Sequence, residues 1–183
     1  MFVVGVKENL KVCWISAGVS SFVAGYLERE TIDEYIYIDI ENQHPDSMRF
    51  IKDCKNVLGK SIQILKSPYR NVENVIKQFR YNNGPYGAKC TEVLKKRVRK
   101  EWEDAHKDFD ITYVWGFDID EKHRAERLDE SMSEFKHEYP LIERMLTKQD
   151  AHAILDRLGI KRPVMYDLGS VSYTHLTLPT ILR

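Results

Sequence analysis

The stretch "CWISAGVSSFVAGYL", from Cys13 to Leu27, decides how this chain folds. An apolar, partly β-branched run stops at Ser16, small residues follow, and an apolar helical pattern starts at once. Residues 16–21, "SAGVSS", therefore sit at the carboxyl end of a buried strand and directly before a helix. Two readings fit this hexapeptide. One is a tight strand-to-helix turn with Ser20 as the helix N-cap. The other is an anion cradle: small residues let the backbone approach a phosphate, and a helix N-terminus offers unpaired N–H groups and partial positive charge. The hydroxyls of Ser16, Ser20 and Ser21 would add donors.

Outward from this stretch, strand-like and helix-like patterns alternate. "KVCWIS" (11–16), "EYIYIDI" (34–40), "SIQILK" (61–66) and "DITYVWGF" (110–117) are rich in β-branched and aromatic residues and read as strands. Helical spacing relates Phe50, Cys54 and Val57, and again Val72, Val75, Ile76 and Phe79, the latter behind Asn71 as N-cap. Leu94, Val98, Trp102 and Ala105 form a third stripe; Ala125, Leu128, Met132 and Phe135 form a fourth. Thr147 with Asp150 reads as a capping box, and Gly159 ends the helix that follows. The alternation predicts an α/β fold, a single Rossmann-like, doubly wound parallel sheet with helices on both faces, over one domain at residues 1–169. The loop "FRYNNGPYGAKCT" (79–91) interrupts the rhythm, and a loop of this length in a compact domain is often functional.

The chain has 183 residues, 43% of them hydrophobic and 31% charged, which suits one domain with a proper core. Its 28 Lys and Arg balance 28 Asp and Glu, so nothing in the bulk charge attracts nucleic acid or an anionic membrane, and any anion site must be local. No apolar run approaches the roughly 20 residues of a membrane span, and the N-terminus lacks the basic start and apolar length of a signal peptide. Cys13, Cys54 and Cys90 are odd in number and widely spaced, which fits a reducing cytoplasm better than a disulfide framework. No CxxC pair exists, so the sequence supplies no obvious metal ligand set and argues against an iron–sulfur cluster built by this segment alone. From Ser170 onward, "SVSYTHLTLPTILR" loses its charge apart from Arg183 and resembles a translated sequencing adapter. Residues 170–183 are therefore expected to be a non-native tail, with the natural protein continuing past Gly169.

"SAGVSS" is neither GxGxxG nor a P-loop ending in GK[ST]. It resembles the PP-loop, SGGxDS, of the adenine nucleotide α-hydrolase-like superfamily, with Ala17 in place of the first Gly and Ser20 in place of Asp. Four further stretches resemble, in order, motifs of the phosphoadenosine phosphosulfate (PAPS) reductase family. They are "YIDIENQHPDSMRFIKD", "NGPYGAKCTEVLKKRV", "VWGFDIDEKHRAERL" and "YPLIERMLTKQDAHAILDRLGIKRPVMYDLG". The resemblance covers roughly residues 10 to 169 and rests on the order of motifs that are individually weak.

The resemblance implies that Ser16, Ala17, Gly18, Val19, Ser20 and Ser21 hold the phosphates of an adenine nucleotide: PAPS, APS or ATP. It places Asp39, at the end of the second strand, near the nucleoside or a metal-bound phosphate, the plain alternative being a strand-end acid. Gly116 lies at the end of the fourth strand, another carboxyl-end position. Five of residues 95–100 are basic, and most of that run reads as a solvated face. Lys95 is the exception, because the family pattern places a Lys directly after the Leu. Arg124 and Arg127 share a helix face, either as an anion contact or as a surface ladder with Glu121, Glu126 and Glu130. Lys95 and Arg124 are the candidates for stabilising charge on a leaving group.

The implied activity is sulfonucleotide reduction or related sulfur transfer. The reductases use a thiol in a C-terminal Cys segment that residues 1–183 lack, and the resemblance allows for a thiol reductant partner. The alternatives are an ATP pyrophosphatase that adenylates its substrate, with magnesium, and a nucleotide-binding module without turnover. A homo-oligomer is compatible with either. Cys90 is alone in its loop, so a cluster would need cysteines from elsewhere.

Overall fold

The computed structural model describes residues 7–80, 83–84 and 87–169; part of the 79–91 loop and the expected tail at 170–183 lie outside the described residues. Strand β1 (Glu8–Ile15) leads through residues 16–18 into helix α1 (Val19–Leu27). Strand β2 (Glu34–Asp39), helix α2 (Asp46–Leu58), strand β3 (Ile62–Lys66) and helix α3 (Val72–Phe79) repeat the alternation. A short antiparallel pair, β4 (Asn83–Gly84) and β5 (Gly87–Ala88), precedes α4 (Lys89–Thr91), a π-helical turn (Glu92–Lys96) and α5 (Arg97–Ala105). Then come β6 (Phe109–Val114), a 3-10 turn (Ile119–Glu121), α6 (Lys122–Ser131), β7 (Lys136–Glu138), α7 (Pro140–Glu143) and α8 (Lys148–Arg157). A last 3-10 turn spans Val164–Tyr166.

The five main strands form one sheet in the order β3-β2-β1-β6-β7, and every neighbouring pair is parallel. From β1 the chain steps outward to β2 and β3, then returns to place β6 on the other side of β1. The reversal lies between β1 and β6, where an open parallel sheet leaves a crevice at its carboxyl edge.

Side chains of β1 alternate between two cores. Cys13 and Ile15 pack on one face with Phe22 and Val23 of α1, Phe50 and Cys54 of α2, and Leu155 of α8. Val12 packs on the other with Ile36, Ile111, Trp102 of α5 and Met132, while Trp14 meets Trp102 edge-on at 5.7 Å. A third cluster joins α3 to the π-helical turn through Val75, Val93 and Leu94. Burial on both faces explains why β1 and β2 read as nearly continuous apolar runs. Helix α1 lies unusually close to the sheet: a Cβ at Gly25 would stand 2.9 Å from both Cys13 Sγ and a Tyr35 ring carbon.

Local signals read in the sequence have physical counterparts. The Asn71 side chain accepts Asn74 N–H at 2.8 Å, and Thr147 and Asp150 form a reciprocal capping box. Gly159 follows α8 with φ +70°, a left-handed stop that glycine adopts freely. Three features differ from expectation. The fourth expected strand ends at Val114, so Gly116 lies in the turn beyond it. Helix α6 ends at Ser131, and Met132 and Phe135 reach the core from the following turn. A fifth strand, Lys136–Glu138, is present, although its polar residues carry no strand signal. Among the described residues no helix is long and apolar enough to cross a membrane.

Candidate functional site

A cavity of about 530 Å³ opens at the reversal point between β1 and β6. Its floor is the turn after β1. Ala17 has φ +57°, a left-handed backbone that a glycine would adopt without the strain of a Cβ. The Ser21 hydroxyl closes the turn: it donates to Gly18 O at 2.9 Å and accepts Ser16 N–H at 3.0 Å, with Ser16 Oγ also 3.0 Å away. Helix α1 therefore has Gly18 as its N-cap, with no side-chain cap, and Ser20 is not the N-cap. The first amide, Val19 N–H, donates to the Tyr166 hydroxyl at 3.2 Å. The Ser20 and Ser21 amides have no acceptor among the described residues, and the first turn carries no acidic residue. Such a helix end, bearing unpaired N–H groups and partial positive charge, can receive an anion.

The turn after β6 is locked to this floor. A Cβ on Gly116 would lie 2.4 Å from Ser21 Cα, 2.5 Å from Ser21 N and 2.7 Å from Ser20 C. Only a glycine permits this backbone-on-backbone contact. Beyond it, Trp115 Nε1 donates to His137 Nδ1 at 3.0 Å, and Phe117 lines the cavity. Buried Asp118 accepts the Asp120 amide, and its carboxyl is pushed above the usual range, first by burial and then by Glu121. Arg124 pairs with Glu121 and lies 4.9 Å over the Phe117 ring, on the exposed rim of the cavity.

A cationic wall faces these turns. Lys95, Lys96 and Arg99 all line the cavity, and the two lysines belong to the π-helical turn. Lys95 is half-buried and forms no ion pair among the described residues; burial holds its ammonium below the usual lysine range. Arg99 Nε stands 3.0 Å from Glu103 Oε1, which also accepts the Tyr113 hydroxyl at 2.6 Å. A half-buried lysine without a counter-charge is the group that an incoming anion would stabilise most.

The expected site residues separate into two groups. Ser16, Gly18, Ser20, Ser21, Lys95, Gly116 and Arg124 all line one cavity. Ala17 and Val19 are fully buried and contribute through the backbone. Asp39 ends β2 as expected but does not line the cavity; it stands 3.4 Å from Lys66. Arg127 is exposed on α6 and donates to His123 O. Cys90 is buried at the start of α4 and does not line the cavity. Sequence reasoning did not single out Lys96, Arg99, Lys148 or Tyr166, which also line it. Tyr166 stood inside the quoted "PVMYDLG" run, but nothing local marks a tyrosine that acts on a helix 147 residues away.

No family model matches this sequence, and no curated protein matches it. Among solved structures, phosphoadenylyl-sulfate (PAPS) reductase from Candida auris, determined as a phosphate complex, matches with a TM-score of 0.61. The match covers 96% of this chain and 86% of that one, at 13% sequence identity. The chain has the α/β fold of a PAPS reductase.

Proposed function

We propose that the chain binds an adenine nucleotide (PAPS, APS or ATP) with its phosphates against residues 16–21, and that it serves sulfonucleotide reduction or a related sulfur transfer. The observation that carries this reading is the unpaired Lys95, facing the same cavity as the acceptor-free Ser20 and Ser21 amides. One side supplies directional donors, the other supplies charge, and a phosphate needs both. The phosphate bound by the Candida auris reductase of the same fold supports the ligand class.

In the reductive reaction a thiolate attacks the sulfonate sulfur, and the bond from that sulfur to the phosphate oxygen breaks. The electron pair leaves with the nucleotide, whose new phosphate charge falls to the α1 amides, Lys95 and Arg124. The attacking thiol would come from a reductant partner or from chain outside this sequence. Burial pushes the Cys13 thiol up to about 12 and raises Cys54 as well, so neither is a thiolate at neutral pH. Cys90 is buried behind Lys95, near enough to act on its charge, and does not itself line the cavity.

Calorimetric titration with PAPS, and with ATP in the presence and absence of magnesium, tests the reading. Binding of PAPS without a metal requirement, weakened in Lys95→Met, is the expected result. Magnesium-dependent ATP binding with pyrophosphate release would replace it with the adenylating enzyme. Binding with no product formed, even with a thiol supplied, would leave a binding module. No binding of either nucleotide would overturn it.

A further inference from the structure

Tyr166 touches the cradle but has no part in the scheme above. We propose that its hydroxyl is a further donor of the anion cradle, relaying the first amide of α1 into the cavity; this rests on the nucleotide-binding reading. A phenol oxygen has one proton to give and lone pairs to accept with. The Tyr166 oxygen accepts Val19 N–H at 3.2 Å, and its own proton has no acceptor among the described residues. Tyr166 lines the cavity, and its hydroxyl sits beside the loop: a Cβ on Gly18 would lie 3.5 Å from it. An anion on the Ser20 and Ser21 amides would therefore meet a third donor, strengthened because that donor is itself accepting a hydrogen bond. Burial pushes the phenol up from its ordinary value, so the proton is present across the neutral range.

The ring is held in place from three sides. Val164 N–H, two residues before it, donates to Asp46 Oδ2 at 2.8 Å, at the start of α2. Arg49 donates to Lys161 O and Arg162 O, tying the approach to the same helix. His152 packs edge-on against the ring at 4.9 Å, and Lys148 Nζ lies 5.8 Å from its centroid. A donor fixed in this way gives direction as well as attraction. The opposite role, a plug that keeps anions off the Val19 amide, makes the opposite prediction.

The test titrates the full chain with PAPS and with magnesium ATP in three forms: unaltered, Tyr166→Phe, and with 3-fluorotyrosine at position 166. The donor role predicts affinity about tenfold weaker in Tyr166→Phe, the loss of a hydrogen bond to a charged group; the melting temperature should also fall, because Val19 N–H loses its acceptor, whereas 3-fluorotyrosine keeps it. It predicts tighter binding with 3-fluorotyrosine, a stronger donor of nearly the same size, which a role in packing alone would not produce. Equal or tighter binding in Tyr166→Phe, or no gain with 3-fluorotyrosine, overturns the donor role while leaving nucleotide binding intact. Should Tyr166→Phe fail to fold, the 3-fluorotyrosine protein decides alone. If the unaltered chain binds neither nucleotide, the site reading itself has failed and the donor role falls with it.

Discussion

The turn after β1 and the helical wall opposite it contribute in different ways to the same cavity. Residues 16–21 carry no charge; the Ser16 and Ser21 hydroxyls and the Gly18 carbonyl bond to one another, which leaves the Ser20 and Ser21 amides and the Ser20 hydroxyl for a ligand. The segment Glu92–Lys96 does the reverse, placing side-chain charge at the cavity from a helix whose hydrogen-bonding pattern is irregular. One region supplies geometry and the other supplies potential. A loop braced by its own uncharged hydroxyls has little charge of its own, so the attraction that brings an anion to it must come from elsewhere.

The largest expected break of this division is Gly116→Ala. The added Cβ would overlap the Ser20 and Ser21 backbone, where no flexible side chain can yield. A loss of about 3 kcal/mol or more is expected, read as a lower urea midpoint, together with loss of nucleotide binding. Retained stability would mean that the two turns are not locked.

Lys95→Met separates potential from geometry. Affinity for PAPS or ATP should fall by roughly 10- to 100-fold, as for a lost hydrogen bond to a charged group. The ligand-free protein should gain up to about 1 kcal/mol, because a half-buried, unpaired charge has been removed. With Lys95 present, affinity should decline as pH rises through its lowered pKa, earlier than an ordinary lysine would allow. An unchanged alkaline limb in Lys95→Met would remove Lys95 from the cradle.

Asp46→Asn tests the far anchor of Tyr166. Two bonds to Arg49 and one to Val164 N–H hold the Asp46 carboxyl down at about 2. A depressed folded-state pKa stabilises the fold above the unfolded value of about 3.9, and this is lost as pH falls from there through about 2. Stability should drop by up to about 2 kcal/mol in the variant at neutral pH, and the acid dependence in that window should flatten. The smallest effect belongs to Ala17→Gly. Relief of the left-handed backbone, about 1 kcal/mol, is offset by the lost buried methyl and the added chain freedom. Thermal melting within a few degrees of the unaltered chain, with unchanged nucleotide affinity, is the expected result.

What was legible in the sequence follows the same division. The β1–α1 junction is local: a buried strand, small residues and a helix are contiguous, and the parallel sheet follows from alternation repeated along the chain. Asn71, Thr147 and Gly159 announced helix ends because capping is decided within a few residues. Strand β7 was not legible, because Lys136, His137 and Glu138 owe their pairing to β6 rather than to their own propensity. Asp39 shows the limit of placing residues by strand ends alone: its neighbour Ile38 lines the cavity, while Asp39, one step along the alternating strand, pairs with Lys66 instead. Tyr166 and Arg99 depend on long-range packing that no short window contains.

The π-helical turn at Glu92–Lys96 has one more consequence. Such a turn holds one residue more than an α-helical turn of the same height, so it shifts by about 100° the phase of everything that follows. Deleting a single residue there would restore an even helix and turn Lys95, Lys96 and Arg99 together by about 100° relative to the residues before the turn. The electrical character of this cavity is therefore a trait of length as much as of composition. Lineages that differ by one codon at this point could share nearly every residue of the site and still treat anions very differently.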